Sequence, residues 1–534
     1  MGFYTLLFST TVALLVTSYV IYVYYWRPSC IRKALLNQGF IVLPYHPIAG
    51  DLPQLQHLEA QAQIYDISSP SDHHLLVPYV LPFYNMLICQ HPGSRVVYWR
   101  GNLPIIVISK ANDARSILSA DVNYMQKISY STRAFHRLLG DGLLLANGKD
   151  WRLQRDILRP AFFVEKLKGL LTDMATSSLD MIQAWKVHAD TEEHMKYVEI
   201  EVAGDLKNLA ADILSCTMFG SSYLKGKSVF KRQELLLKMV LKLRAQITAN
   251  PFYEFLPTNL NREVRALDRK NNQELREIIE QKKHSVEANS LESKAVCSYG
   301  TDLLGLVLDA VEEGSKLGRE AAHLSMQKVI DECKTFFFAG HETTANLLAW
   351  TLVLLSLHQE WQERARQEVW EICGKHGELN ADNLNKLKIV GMILNESLRL
   401  YPPVPEYGTR ELFQDVRMGD GTVLPRGAGI TIACLYIHRD KEVWGEDADE
   451  FRPDRFANGV SQACNNPYAF MPFGIGPRTC IGQHFALMEA KIILSLILQS
   501  FQFHLSPSYR HAPITAITMR PKYGVHLLLR SLSN

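Results

Sequence analysis

The first 26 residues, MGFYTLLFSTTVALLVTSYVIYVYYW, contain no charged side chain before Arg27. A helix of about 20 apolar residues crosses a bilayer. Tyr19, Tyr22, Tyr24, Tyr25 and Trp26 thicken toward one end of the run, as an interfacial belt does, and Arg27, Arg32 and Lys33 then place the remainder of the chain on the cytoplasmic side. A cleaved secretory peptide would show a basic leading region and a small-residue cleavage site, and neither is present. Residues 1–26 are therefore expected to be a single transmembrane anchor, 27–53 a basic, proline-containing connector, and 54–534 one catalytic unit.

No Gly/Ser-rich or Pro-rich linker divides the catalytic unit, and a hydrophobic fraction of 47% against 21% charged residues supplies a sizeable core. The net charge of +2 gives no bulk basic field and argues against nucleic acid as a partner. Nine cysteines, an odd number at irregular spacing without CxxC, exclude a disulfide framework and a zinc ribbon and fit a reducing compartment.

Patterning predicts a mainly α protein with small β-sheets. SRVVYWRG and PIIVIS read as a strand pair around NLP, and ANDARSILSA as a helix capped by Ser109. The polar stretch 284–302 reads as a surface loop. Helical periodicity prevails from Leu303 to Leu400, where Pro402, Pro403 and Pro405 end it.

Four constellations carry chemistry. The first is FGIGPRTCIG (473–482), in which Phe473, Gly476, Arg478, Cys480 and Gly482 form F-x-x-G-x-R-x-C-x-G just before a long apolar helix. Backbone N–H groups and a helix N-terminus lower a thiol pKa, and glycines admit a flat ligand close to the backbone. Such a thiolate can ligate haem iron. A phosphate loop would need glycine where Thr479 stands, and zinc would need a second ligand pair beside Cys480 and His484. A buried structural cysteine leaves Arg478 unexplained.

The second is FFFAGHETT (336–344). Ala339 and Thr343 share a helix face, a mid-helix threonine can bond back to the carbonyl four residues earlier, and Gly340 leaves room for a small diatomic ligand. Glu342 adds a titratable group for proton delivery. An ordinary buried helix with a satisfied threonine has the same pattern. The third is Glu396 and Arg399, an i, i+3 pair with Arg455 as third member, read as a structural network holding the cysteine loop. The fourth is WRLQR (151–155): Trp151 and Arg155, joined by Arg410 and Arg478, suit carboxylates such as haem propionates, although an exposed basic helix reads alike. HRD (438–440) lacks the companions of a kinase loop, and NES (395–397) falls inside a helix, which discounts glycosylation.

In this order, with FRPDRF between the third motif and the loop, the constellations resemble the cytochrome P-450 family over nearly the whole chain after the anchor. The resemblance implies the cytochrome P-450 fold, with haem b (iron protoporphyrin IX) between the AGHETT helix and the cysteine loop. It implies Cys480 as axial ligand to iron, and Thr343 and Glu342 as the residues handling protons. Ala339, Gly340, Trp151, Arg155, Arg410, Phe473, Arg478 and Gly482 would line the cofactor. It implies O2 as co-substrate and electrons from NADPH through the membrane-bound NADPH–cytochrome P-450 reductase, docked on Lys149, Arg152 and Arg159. The setting would be the endoplasmic reticulum membrane, with contact to lipid and a small apolar substrate. GLLLANGKDWRLQRDILRPAF, DECKTFFFAGHETT and YRHAPITAITMRPKYGV are most similar to plant cytokinin hydroxylases and to relatives acting on gibberellins, brassinosteroids, terpenoids or fatty acids. Arg159, the charged EYGTREL (406–412) and the lid region 121–146 differ from the cytokinin hydroxylases. Two other readings are a haem-thiolate isomerase or dehydratase, against which the Glu342–Thr343 pair argues, and a haem-binding sensor or carrier without turnover.

Overall fold

The structure is a computed structural model describing residues 2–532 except 65, 68, 72–74, 128, 192–196, 221–222, 250, 293–297, 317–324, 376, 378 and 516. From Gly2 a helix runs to Ile21, passes through a π-helical turn at Tyr22–Trp26 and continues as Arg27–Asn37. Leu6, Leu14, Leu15 and Ile21 project outward from its first part. The helix is long and apolar enough to cross a membrane, and its apolar stretch is not buried in the protein. The connector expected from residue 27 differs in its first third. Pro28 follows directly on the π-helical turn, where the hydrogen-bond ladder is already irregular. Ile31 and Leu35 then pack into a core with Val97, Trp99 and Ile106. Arg27 pairs with Glu411 at 2.7 Å, and the Tyr45 hydroxyl donates to the Tyr24 carbonyl at 2.8 Å.

The principal sheet has six short strands in the spatial order Ile41–Val42, Val96–Arg100, Leu103–Ile108, Gly429–Ile432, Tyr407–Leu412 and Met125–Lys127. The expected strand pair around NLP is present and antiparallel, with Val96 opposite Val107 and Arg100 opposite Leu103. Both strands are apolar on successive residues because the sheet is covered on both faces. The next helix begins at Ala111 with Lys110, not Ser109, in the cap position.

The rest is helical. Met326–Leu357 runs through the interior, its start capped by the Ser325 hydroxyl accepting the Lys328 N–H. The polar stretch read as a loop is helical as far as Glu292, because helix Asn259–Glu292 continues through it. Glu, Leu and Ala among the serines keep helix propensity high there. Residues 293–297, Cys297 among them, lie outside the described part. Helix Lys388–Leu400 stops just before the prolines, as expected. Gln483–Ser500 comes after the cysteine loop and buries Ile492, Ile493, Leu494 and Ile497 in the same core as Leu347, Leu348 and Trp350 of Met326–Leu357.

Candidate active site

The loop 471–482 is held before its cysteine is reached. Glu396 and Arg399 are both fully buried and form two parallel hydrogen bonds of 2.7 and 2.8 Å. Arg399 also donates to the carbonyls of His438, Ala448 and Glu450, and Glu396 accepts the Arg452 N–H at 2.8 Å. Arg455 approaches Glu396 at 3.5 Å. His438 carries the tie onward. Its Nδ1 faces the Arg399 carbonyl at 3.1 Å and its Nε2 accepts the Met471 N–H at 3.0 Å. Burial pushes this imidazole down to about 3, so it is neutral and can accept. The residue of the HRD triplet is thus a bridge between the Glu396–Arg399 network and the loop.

Within the loop the Cys480 N–H donates to the Phe473 carbonyl at 2.8 Å. Gly476 has φ of +74°, and a Cβ there would meet the Leu118 carbonyl oxygen at 2.3 Å. This glycine serves contact with the helix ending at Leu118, not the approach of a ligand. Gly482 has nothing within 4 Å of a built Cβ, which leaves its side open. Cys480 is accessible although the protein surrounds it, as for a residue lining an internal space. The lowered thiol pKa expected from the helix start does not result. Burial pushes the thiol up and outweighs the Gly482 N–H and the Arg155 charge that pull it down.

Trp151, Arg155, Arg410 and Arg478 come together around this space. The Arg478 guanidinium lies 4.6 Å over the Trp151 ring and donates from both terminal nitrogens to the Ala146 carbonyl at 3.1 Å. Burial and Arg410 push Arg478 down to about 9. A fourth cation, missed in the sequence, is Lys127, which stands directly opposite Arg410 across adjacent strands. Burial and the charges of Arg478 and Arg410 push it well below the usual lysine range. Like charges facing each other across a sheet destabilise it, and among the described residues no salt bridge offsets them. Such a cluster requires an anionic partner from outside the chain. Two carboxylates on a planar, largely apolar group meet that need, and the residues present fit haem.

On Met326–Leu357 the Thr343 hydroxyl donates to the Ala339 carbonyl at 2.8 Å, as the spacing predicts. Thr344 repeats the bond to Gly340 at 3.2 Å. Ala339 is exposed and Glu342 is half-buried. Gly340 serves a different purpose from the one expected: the position of its missing Cβ lies 3.1 Å from Leu214, so it lets helix Val202–Phe219 approach. His341, between the predicted residues, is buried, held by the Phe337 carbonyl at 2.7 Å and pushed down to about 4 by burial. Glu489, from the helix after the loop, is fully buried. Burial pushes its carboxyl up to about 8 although the Thr344 hydroxyl favours the charged form. Neither Lys127 nor Glu489 had a sequence signal, since only folding brings them here. A separate cavity of about 630 Å³ does not reach Cys480 or Thr343. Leu52, Leu55, Phe83 and Ile514 line it together with Glu59, Arg100, Arg244 and Glu406.

A mainly helical fold with a lone cysteine in an enclosed space, cations clustered beside it and a threonine notch on the buried helix defines a haem-thiolate protein. The cytochrome P450 family model matches residues 83–528, and the chain belongs to that family. It is 38% identical over 512 residues to cytochrome P450 709B1 of Arabidopsis thaliana, covering 95% of each chain. It is 37% identical over 532 residues to a cytokinin hydroxylase of the same plant, covering 99% of this chain and 98% of the relative. The crystal structure of the cytochrome P450DA heme domain superposes with a TM-score of 0.72 at 26% identity, over 92% of this chain and 98% of that one. The protein is a P450 monooxygenase that uses haem, O2 and reductase-delivered electrons from NADPH.

Proposed function

We propose that this P450 hydroxylates a small apolar plant hormone, with an isoprenoid cytokinin as first candidate. Similarity to a cytokinin hydroxylase over nearly the full chain supports that substrate. A gibberellin, brassinosteroid, terpenoid or fatty acid is the alternative, left open by equal similarity to cytochrome P450 709B1. The observation that carries the haem site is the half-buried cluster of Lys127, Arg155, Arg410 and Arg478 beside Cys480. In this reading Cys480 would ligate the haem iron, and the four cations with Trp151 would hold its carboxylates. Phe473 and Gly482 would line the cofactor beside the thiol. The haem, when bound, supplies O2 activation and the electron transfers. The chain positions protons: Thr343, tied to Ala339, presents its hydroxyl at the notch, and Glu342 exchanges protons beside it. Apolar side chains of the buried helix keep water out.

Residues 1–26 form the anchor in the endoplasmic reticulum membrane and 54–534 the cytoplasmic catalytic domain; of the connector 27–53, the helix Arg27–Asn37 packs against that domain. Exposed Lys149, Arg152 and Arg159 dock the reductase. Arg152 lies beside Asp121, which tempers its charge. Reduction should then slow as salt rises, because screening shortens to about 8 Å at physiological ionic strength.

Replacing Cys480 by serine is expected to remove the long-wavelength Soret band of the ferrous carbonyl form; a retained band would refute the ligand assignment. Binding spectra against isoprenoid adenines, gibberellins, brassinosteroids, terpenoids and fatty acids, followed by product analysis, decide the substrate. No binding or turnover with isoprenoid adenines would eliminate the first candidate.

A further inference from the structure

Met471 is the residue from which the cysteine loop springs, and side chains hold both of its backbone groups. Its N–H goes to His438, part of the Glu396–Arg399 network. Its carbonyl accepts the hydroxyl of Tyr407, from the strand Tyr407–Leu412. The same phenol oxygen accepts the Gly474 N–H at 2.9 Å, so it bridges the two ends of the turn Met471–Gly474. That N–H also reaches the Met471 carbonyl at 3.0 Å, which closes the turn. The phenol thus donates once and accepts from the Gly474 N–H, and the Cys434 thiol also reaches its oxygen at 3.8 Å. Between the clamped ends lies Phe473, whose carbonyl fixes the Cys480 N–H.

Tyr407 reaches this place through an irregularity. The pairing of its strand with Gly429–Ile432 slips between Tyr407 and Arg410, the signature of a bulge. Bulges re-aim side chains beside functional sites. Here Tyr407 enters the loop while Arg410, three residues on, stands opposite Lys127 in the cation cluster. One strand thereby contacts both the loop carrying the thiol and the cations beside it. EYGTREL is also the stretch in which the sequence departs from cytokinin hydroxylases.

We infer that Tyr407 is a positioning residue for the Cys480 ligand, its phenol clamping the turn Met471–Gly474 so that the sulfur keeps its place. The inference rests on Cys480 being the ligand. In the full-length, haem-loaded protein, Tyr407→Phe keeps the ring and removes the clamp. The test records the ferrous carbonyl spectrum at a fixed mild denaturant concentration and the haem reduction potential. Tyr401→Phe is the control. Tyr401 is fully buried where Tyr407 is half-buried, and it is hydrogen-bonded to His511 at 3.2 Å, away from the loop.

The expected result for Tyr407→Phe is an increase of about fivefold in the ratio of thiolate-lost to thiolate-bound carbonyl form, the effect of one buried hydrogen bond. A shifted potential should accompany it, with neither change in Tyr401→Phe. A Tyr407→Phe protein matching the unsubstituted one in both readouts overturns the inference. So does an equal change in Tyr401→Phe, which would reduce the effect to general stability. Absence of the thiolate band from the unsubstituted protein removes the Cys480 assignment and the clamp together. A normal band that is insensitive to Tyr407→Phe removes the clamp alone.

Discussion

Glu332 lies on the central helix, and both its oxygens accept the Leu143 N–H, at 2.9 and 3.1 Å. Burial nevertheless pushes its carboxyl up to about 8, and neighbouring Asp331 adds to the rise while Lys328 opposes it. Between about pH 4.5 and about 8 the folded state then binds more protons than the unfolded chain, so this group lowers stability as pH rises through that window. Glu332→Gln keeps an acceptor for Leu143 and removes the penalty. Its melting temperature relative to the parent should climb from acid to neutral pH and level off above about pH 8; a pH-independent difference would contradict this. His341, neutral because burial pushes it down to about 4, works in the other direction and costs stability as pH falls below about 6.5. Midway along the same helix, Thr343→Ala should divert most of the NADPH consumed to hydrogen peroxide, because positioned proton transfer contributes about a hundredfold or more to the step it assists. Unchanged coupling would deny the threonine its role.

At the scale of elements, the segment after helix Lys388–Leu400 is bound to it by charge buried away from water. Removing one partner of a buried pair costs about 3–5 kcal/mol, because the other charge is stranded. Glu396→Ala leaves Arg399 without its carboxylate and frees the Arg452 N–H. Sharply reduced haem content and a lower melting temperature are the expected outcome, measured by pyridine haemochrome and calorimetry; normal haem content would show the pair to be dispensable. The long helix Asn259–Glu292 illustrates a different effect. Its polar last turns are still helical, which composition alone could not distinguish from a loop.

For the whole molecule, the leading helix and the catalytic body are not separated at residue 27. Leu35 is fully buried and Ile31 nearly so. Truncating a buried leucine to alanine costs about 2–5 kcal/mol. A protein lacking residues 2–26 should retain the melting temperature of the full chain in detergent, whereas one lacking 2–37 should melt lower and resemble the double substitution Ile31→Ala/Leu35→Ala. Equal melting of the two truncations would show that Arg27–Asn37 contributes nothing to the body. The fixed helix also sets how the body stands relative to the leading segment, through Arg27–Glu411 and Tyr45–Tyr24.

The local grammar of the sequence determined the apolar leading helix, the strand pair around NLP, the proline stop after Leu400 and the order of motifs around Cys480, Thr343 and Glu396. Each of these depends on residues a few positions apart, where periodicity and turn chemistry act directly. Tertiary structure alone decided that Lys127 faces Arg410, that Glu489 reaches Thr344, and that Gly476 and Gly340 serve packing between chain segments. It also made His438 and Tyr407 the holders of Met471. Those relations join residues tens to hundreds of positions apart, and their energies come from burial and unscreened charge, which exist only once the chain has closed around them.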